Sequence, residues 1–153
     1  ILSLYLGADG NGSGFLKLEA GGSRMPATME TVEKELHYIQ MEGSEVFKFA
    51  SKIMSSASLK VVEDAGLTVD DIDYLIPHQA NIRIIDSARK RLKLPEEKVY
   101  VNLNRYGNMS AASIPVALDE AAREGALHKG DHIVLVGFGG GLTWGSCLLK
   151  WSK

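Results

Sequence analysis

Residues 133–138, Ile-Val-Leu-Val-Gly-Phe, form an unbroken apolar run. Its length suits a strand rather than a helix, and it has no polar alternation that would leave one face in water. Leu142 to Trp151 reads as the final strand. The glycine-rich turn between the two is too short for a crossover helix, so this pair must be antiparallel. Upstream, Asp73 to Pro77 reads as a short buried strand closed by proline, Val99 to Asn102 as another, and Ile1 to Leu6 as a β-rich opening segment. Helical patterns separate them. Strands alternating with helices predict an α/β chain in three αβα layers, with a mostly parallel mixed sheet and an antiparallel final strand.

Three helices carry the pattern. The first begins near Ser44, a suitable N-cap, with Glu45 in the positive first turn. Val46, Ala50, Ile53, Ala57 and Val61 give it one buried face, and Gly66 ends it in a left-handed cap. Thr68-Val69-Asp70-Asp71 resembles a capping box for one short turn. Asn81 caps a second helix to about Leu92, burying Ile84, Ile85, Ala88 and Leu92, with Arg83 and Lys90 side by side on another arc. Either Ser110 or Ser113 caps a third helix to about Glu124; Pro115 fits its first turn when Ser113 is the cap. The turn signal at Gly7 to Gly12 ends the opening strand. Phe15 to Leu18 alternates enough to pair back on it as a hairpin. Residues 19–36 show no period and read as a long surface loop, followed by a short strand within Leu36 to Met41.

Composition excludes several classes of function. With 17 basic and 19 acidic residues among 153, the chain carries a formal charge of −2 and no whole-chain basic footprint for nucleic acid or a polybasic membrane anchor. No apolar run approaches the ~20 residues of a membrane-spanning helix. One cysteine, Cys147, excludes an internal disulfide framework and a multi-cysteine zinc site, and fits a reducing compartment. The first residues lack the charged start of a signal peptide. A chain that opens inside a strand is expected to belong to a longer protein. One domain is expected, without repeats or low-complexity tracts.

In open α/β sheets, ligands bind beyond the carboxyl ends of the strands. Three unusual segments fall there. They are Pro77-His78-Gln79-Ala80-Asn81, Asn104-Arg105-Tyr106-Gly107-Asn108-Met109-Ser110, and Gly137-Phe138-Gly139-Gly140-Gly141. Singly, each has a plain structural reading: a capping histidine, an Asx turn, a bulged hairpin. A backbone without Cβ atoms can also approach a substrate closely and aim an N–H at it.

Taken together, and with Glu42 to Phe47, Pro77 to Ile85, Gly107 to Ser113 and Gly137 to Gly145, these segments make the chain resemble the C-terminal half of the β-ketoacyl-acyl-carrier-protein synthase III family. The resemblance extends over essentially all of residues 1–153. It implies a thiolase-type fold of two similar α/β halves, of which this chain would be the second. It implies a bacterial, cytoplasmic acyltransferase that starts fatty-acid synthesis. In that reaction a cysteine takes an acyl group from acyl-CoA, typically acetyl-CoA. Malonyl-carrier protein then loses CO₂, and its enolate attacks the acyl-cysteine. No cofactor is needed, because acyl-CoA is a substrate.

The resemblance places the His and Asn of a Cys-His-Asn triad at His78 and Asn108, and an oxyanion-hole N–H at Gly140. Phe138 corresponds to a phenylalanine lining the malonyl site. Gly43, Ser44, Phe47, Ala80, Asn81 and Ile84 correspond to the phosphopantetheine channel, with Ser44 standing where some members have Asn. Gly43 and Ser44 read equally as a helix start, and Phe47 as core. Arg83 corresponds to a carrier-docking residue, with Lys48 and Lys90 as further docking candidates. Residues 81–93 hold five basic side chains against one acid, a local charge of +4 that suits an acidic carrier protein. The implied partners are acyl carrier protein, acyl-CoA and the N-terminal half, with a homodimer for the complete enzyme. The family's nucleophile lies in the N-terminal half. Cys147, in an alternating strand without a helix N-terminus beside it, is no substitute. The chain alone is therefore expected to be inactive. A polyketide- or quinolone-type starter synthase, or a half domain that binds carrier or partner without chemistry, are the competing readings.

Overall fold

The computed structural model describes residues 1–153. In chain order its elements are β1 (Ser3–Ala8), β2 (Leu16–Leu18), α1 (Met29–Glu33), β3 (Ile39–Met41), α2 (Gly43–Asp64), β4 (Tyr74–Pro77), α3 (Ile82–Leu92), α4 (Leu103–Tyr106), α5 (Ser113–Arg123), β5 (His132–Gly139) and β6 (Thr143–Lys150). The main sheet runs β1-β6-β5-β4. β4 and β5 are parallel, and β6 is antiparallel to both β5 and β1. Thus β1, β4 and β5 share one direction and only β6 opposes them, the mixed sheet that the short glycine turn requires.

The apolar run on β5 works by alternation between two helical layers. Val134 and Val136 pack with Leu75, Leu148, α2 and α3 on one face. Ile133 packs with Ile76, Ala117 and Ala121 of α5 on the other. Successive side chains point to opposite faces, so a strand covered on both sides must be apolar throughout. α3 buries Ile84, Ile85, Ala88 and Leu92, the four residues its period selected. Asn81 caps it by accepting the Arg83 N–H at 2.8 Å.

Several local expectations change. α2 starts at Gly43, Glu42 occupies the cap position without a side-chain bond, and Ser44 lies within the first turn. Ile53 is only half-buried while Met54 is fully buried, because α2 is flanked by both α3 and the sheet and buries a broader arc than one stripe. β2 pairs with β3 in a separate two-stranded sheet rather than folding back on β1. The 19–36 loop contains α1, opened by reciprocal Thr28–Thr31 hydrogen bonds. Gly7 is not a turn residue: it lies inside β1, where a Cβ would sit 2.2 Å from the Trp144 ring. Val99 makes a single parallel bridge to Leu75, and no strand follows through Asn102. There the backbone turns toward α4 as the Gln79 side chain bonds both the Tyr100 carbonyl and the Asn102 N–H.

α5 packs mainly on β4 and β5. On β1, Leu4 and Leu6 are 60% and 75% exposed, and Ile39 and Met41 of β3 are also exposed. No helix is long and apolar enough to cross a membrane.

Met54 is completely buried between α2 and the rest of the α3-side core. Met54→Ala should cost about 2–5 kcal/mol in chemical denaturation, the ordinary penalty for a truncated core side chain.

Candidate active site

His78 follows β4 directly. Its N–H donates to the Val136 carbonyl at 2.8 Å, extending the β4–β5 ladder by one rung and fixing the backbone at the strand's carboxyl end. The imidazole is half-buried. Nδ1 lies 2.5 Å from Ser113 Oγ, and the ring meets Phe138 edge-on at 5.7 Å. Nε2 makes no hydrogen bond within the protein. Burial pushes the imidazole pKa below its ordinary value, favouring the neutral ring.

Gln79 is the next residue and is wholly buried. Its Nε2 donates to the carbonyls of Pro77 at 2.8 Å and Tyr100 at 3.2 Å, and its Oε1 accepts the Asn102 N–H at 3.1 Å. The His78 loop is thereby tied to the segment leading to Asn108. That segment is held again from α5, where Glu120 accepts from Asn102 Nδ2 at 2.8 Å and from the Tyr106 hydroxyl at 2.9 Å, and pairs with Arg105 at 2.7 Å. Gly107 then adopts φ 68°, ψ −160°, a region essentially reserved for glycine. This reversal brings Asn108 to the cleft. Asn108 Oδ1 accepts the Ser110 N–H at 3.0 Å, so the carboxamide oxygen is occupied and the NH₂ is left unused.

The third segment is the hairpin between β5 and β6. Reciprocal backbone bonds between Asp9 and Leu142, 2.7 and 2.8 Å, clamp its tip to the end of β1. The Gly140 carbonyl accepts from Thr143 Oγ1 at 3.0 Å, while the Gly140 N–H makes no bond within the chain. A Cβ at Gly140 would stand 3.2 Å from the Leu16 carbonyl, tight against β2.

These three segments meet around one open cleft of about 1290 Å³. His78, Asn108, Gly140 and Phe138 line it, as do Gly43, Ser44, Phe47, Lys48, Ala80, Asn81, Arg83 and Ile84. Arg83 lies over the Phe47 ring at 5.2 Å, so the start of α3 and the start of α2 share one rim. Lys90 is not in the cleft. It sits two turns along α3 and pairs with Asp86 at 2.6 Å, and the bonds from Lys90 and Arg89 hold the Asp86 carboxyl below its ordinary range. Lys48 is also paired, with Glu45 at 2.6 Å. Sequence reasoning missed the wall formed by Leu16, Ile39 and Met41, which the β2–β3 pairing creates, and the contribution of Trp144 from β6. It also treated Ser113 only as a cap. In the fold Ser113 is the first residue of α5 and its hydroxyl faces His78 instead. No group of three or more His, Cys, Asp or Glu residues could hold a metal ion. Cys147 is half-buried opposite Leu4 and Leu135, and burial raises its thiol pKa, the reverse of what a nucleophile needs.

Residues 62–151 match the model of the 3-oxoacyl-[acyl-carrier-protein] synthase III C-terminal family. That match covers more than half of the chain. The chain belongs to this synthase III family. It is 65% identical over its full length to a β-ketoacyl-[acyl-carrier-protein] synthase III of Caldanaerobacter subterraneus subsp. tengcongensis, and 62% identical over 99% of its length to one of Clostridioides difficile. In each case it covers 46% of the relative, so it spans about half the length of the synthases it matches. Among solved structures it is similar to the synthase III of Thermus thermophilus, with a TM-score of 0.87 and 49% identity over 99% of this chain and 46% of that one. It is also similar to the priming β-ketosynthase of the R1128 polyketide pathway, with a TM-score of 0.82 and 35% identity over 98% of this chain and 44% of that one. The fold is the thiolase-like α/β architecture of these synthases.

In this synthase III half, the buried imidazole of His78 binds a proton less readily folded than unfolded. The unfolded chain therefore takes up the extra proton as pH falls through the ordinary histidine pKa of ~6.5, and His78 destabilises the fold on the acid side of that value. An NMR titration should give His78 a midpoint below ~6.5. His78→Gln should reduce the loss of stability between neutral and mildly acidic pH in denaturation curves.

Proposed function

We propose that this chain is the C-terminal half of a β-ketoacyl-acyl-carrier-protein synthase III, and that it supplies the electrostatic part of a decarboxylating condensation whose cysteine nucleophile belongs to the other half. The observation that carries this reading is the pair of unspent donors on one cleft. His78 has its Nδ1 occupied and Asn108 its Oδ1, which leaves the far edge of the imidazole and a carboxamide NH₂ for a ligand.

The chemistry suits that pair. When malonyl thioester loses CO₂, electrons move onto the thioester oxygen. Two fixed donors at that oxygen stabilise the developing enolate more than the neutral carbonyl, and so lower the barrier. A neutral imidazole serves better than a cation here, since it does not have to be desolvated as a charge, and burial keeps His78 neutral. The free Gly140 N–H is suited to a second oxyanion, formed when the enolate attacks the acyl-cysteine. Phe138, packed against His78, limits water beside the reacting carbanion. The reaction requires no cofactor on this reading, because loss of CO₂ generates the nucleophile.

The open shape of the cleft suits an extended arm rather than an enclosed small molecule. Gly43, Ser44, Phe47, Ala80, Asn81 and Ile84 would line the path of phosphopantetheine to His78. Arg83, exposed on the rim and not ion-paired, is the best placed cation for the acidic carrier protein that brings the arm. Lys48, on the cleft although paired with Glu45, would assist, while Lys90, outside the cleft and paired with Asp86, would contribute only to the general positive field. The exposed apolar side chains of β1 and β3 would be covered by the rest of the enzyme, which would form a cytoplasmic homodimer.

Joined to its cysteine-bearing half, the enzyme should condense acetyl-CoA with malonyl-carrier protein, and this chain alone should not. His78→Ala should slow malonyl decarboxylation by ~10²–10³-fold, the usual cost of one lost oxyanion donor, and wild-type decarboxylation would refute the assignment. Arg83→Glu should raise KM for malonyl-carrier protein and leave acyl transfer from acetyl-CoA unchanged; equal damage to both half-reactions would remove Arg83 from the docking role.

A further inference from the structure

Ser113 is fully buried, and its Oγ takes part in two hydrogen bonds: it accepts the Gln79 N–H at 3.3 Å and lies 2.5 Å from His78 Nδ1. The donors and acceptors can be counted. A backbone N–H can only donate, so Gln79 occupies one lone pair of Ser113. The serine hydrogen then needs an acceptor, and His78 Nδ1 is the one within reach. Were Nδ1 protonated, two donors would converge on Ser113 Oγ and its own hydrogen would be left unpaired in a buried site, an arrangement folded proteins avoid. We propose that Ser113 is a positioning residue that donates to His78 Nδ1 and so locks the imidazole in its Nε2–H tautomer.

The consequence falls on the opposite edge of the ring. Nε2, which has no partner in the protein, becomes a permanent N–H donor on the cleft side. The alternative tautomer would present a lone pair there and repel a thioester oxygen. Ser113 is itself held: it begins α5, which packs Ala117 and Ala121 onto Ile76 and Ile133 of the same strands that carry His78 and Phe138. The hydroxyl is therefore rigid relative to the ring it bonds. The reduced basicity of His78 acts in the same direction, since an imidazolium would also place a hydrogen on Nδ1. A helix-starting serine often spends its oxygen on its own N–H groups. Here α5 has no side-chain cap, and the hydroxyl is given to a neighbouring loop instead.

That the tautomer matters for catalysis rests on the proposed role of His78 as an enolate-stabilising donor; the tautomer itself does not. The test separates the two. In the complete enzyme labelled with 15N-histidine, the His78 signals, identified by their loss in His78→Gln, should show a pyridine-type Nδ1 and a pyrrole-type Nε2 at neutral pH. The reverse pattern in the wild type would overturn the proposal whatever any variant does. Ser113→Ala should mix the two tautomers and lower kcat for malonyl decarboxylation by about tenfold or more, with KM little changed. Ser113→Thr, which keeps the hydroxyl, should retain the Nε2–H pattern and most of kcat. A Ser113→Ala enzyme with unaltered tautomer and unaltered kcat would also overturn it. If His78→Ala retained full decarboxylation while the spectra were as expected, the donor role of His78 would fall and the Ser113 lock would stand.

Discussion

Gln79 is buried at the carboxyl end of β4, and its carboxamide bonds to Pro77, Tyr100 and Asn102. The position of the cleft depends on these bonds. The Tyr100 N–H makes the last backbone bond to β4, at the Leu75 carbonyl, and beyond it the Gln79 side chain takes over by bonding the Tyr100 carbonyl and the Asn102 N–H. A buried carboxamide with its donors and acceptor engaged is rigid, whereas an unsatisfied one would be costly. The His78 loop and the segment that precedes Asn108 are therefore held in one register by a single side chain, with Glu120 on α5 holding the second segment from the other side.

Around that link the cleft is assembled from elements of different stiffness. β4 and β5 supply a ladder that runs on through His78. α5 supplies Ser113 and anchors Glu120. The β5–β6 hairpin is clamped at Asp9, which keeps the Gly140 backbone in place while leaving its N–H free. The β2–β3 pair closes one wall although it is only three residues long on each side. Each donor on the cleft is thus backed by a partner that consumes its other polar atom: Ser113 for His78, Ser110 for Asn108, Thr143 for Gly140. Fixing the unused atom in this way is how a site avoids reorganising when charge develops.

Much of this was legible in the sequence. The α/β layering followed from the alternation of strands with helices, and the antiparallel last strand from the length of the glycine turn. The buried face of α3 and its Asn81 cap followed from period and chemistry. The three loops could be named because chemistry-bearing residues stood where strands end. The roles of His78 and Asn108 came from family resemblance, since a histidine or an Asx turn alone has an ordinary structural explanation. Less legible were features set by distant partners. Ser44 looked like a cap because residue type favours it, but the cap position fell two residues earlier, on Glu42. Val99 to Asn102 looked like a strand because its residues suit one, but Gln79 diverts the backbone. Lys90 and Arg83 share a helix, yet Asp86 neutralises the first and Phe47 supports the second.

By itself the sequence determined the periodicities, the breakers and the chemical inventory of this chain: which segments bury which faces, where turns must fall, and that its one cysteine lies in a strand. Those properties are local, because they depend on side-chain spacing along a single element. Only the tertiary structure decided which polar atoms are spent and which remain for a ligand. Ser113 reaches His78 across 35 positions, and Gln79 reaches Asn102 across 23. Such bonds leave no periodic trace in the sequence, since they join residues brought together by the packing of whole strands and helices.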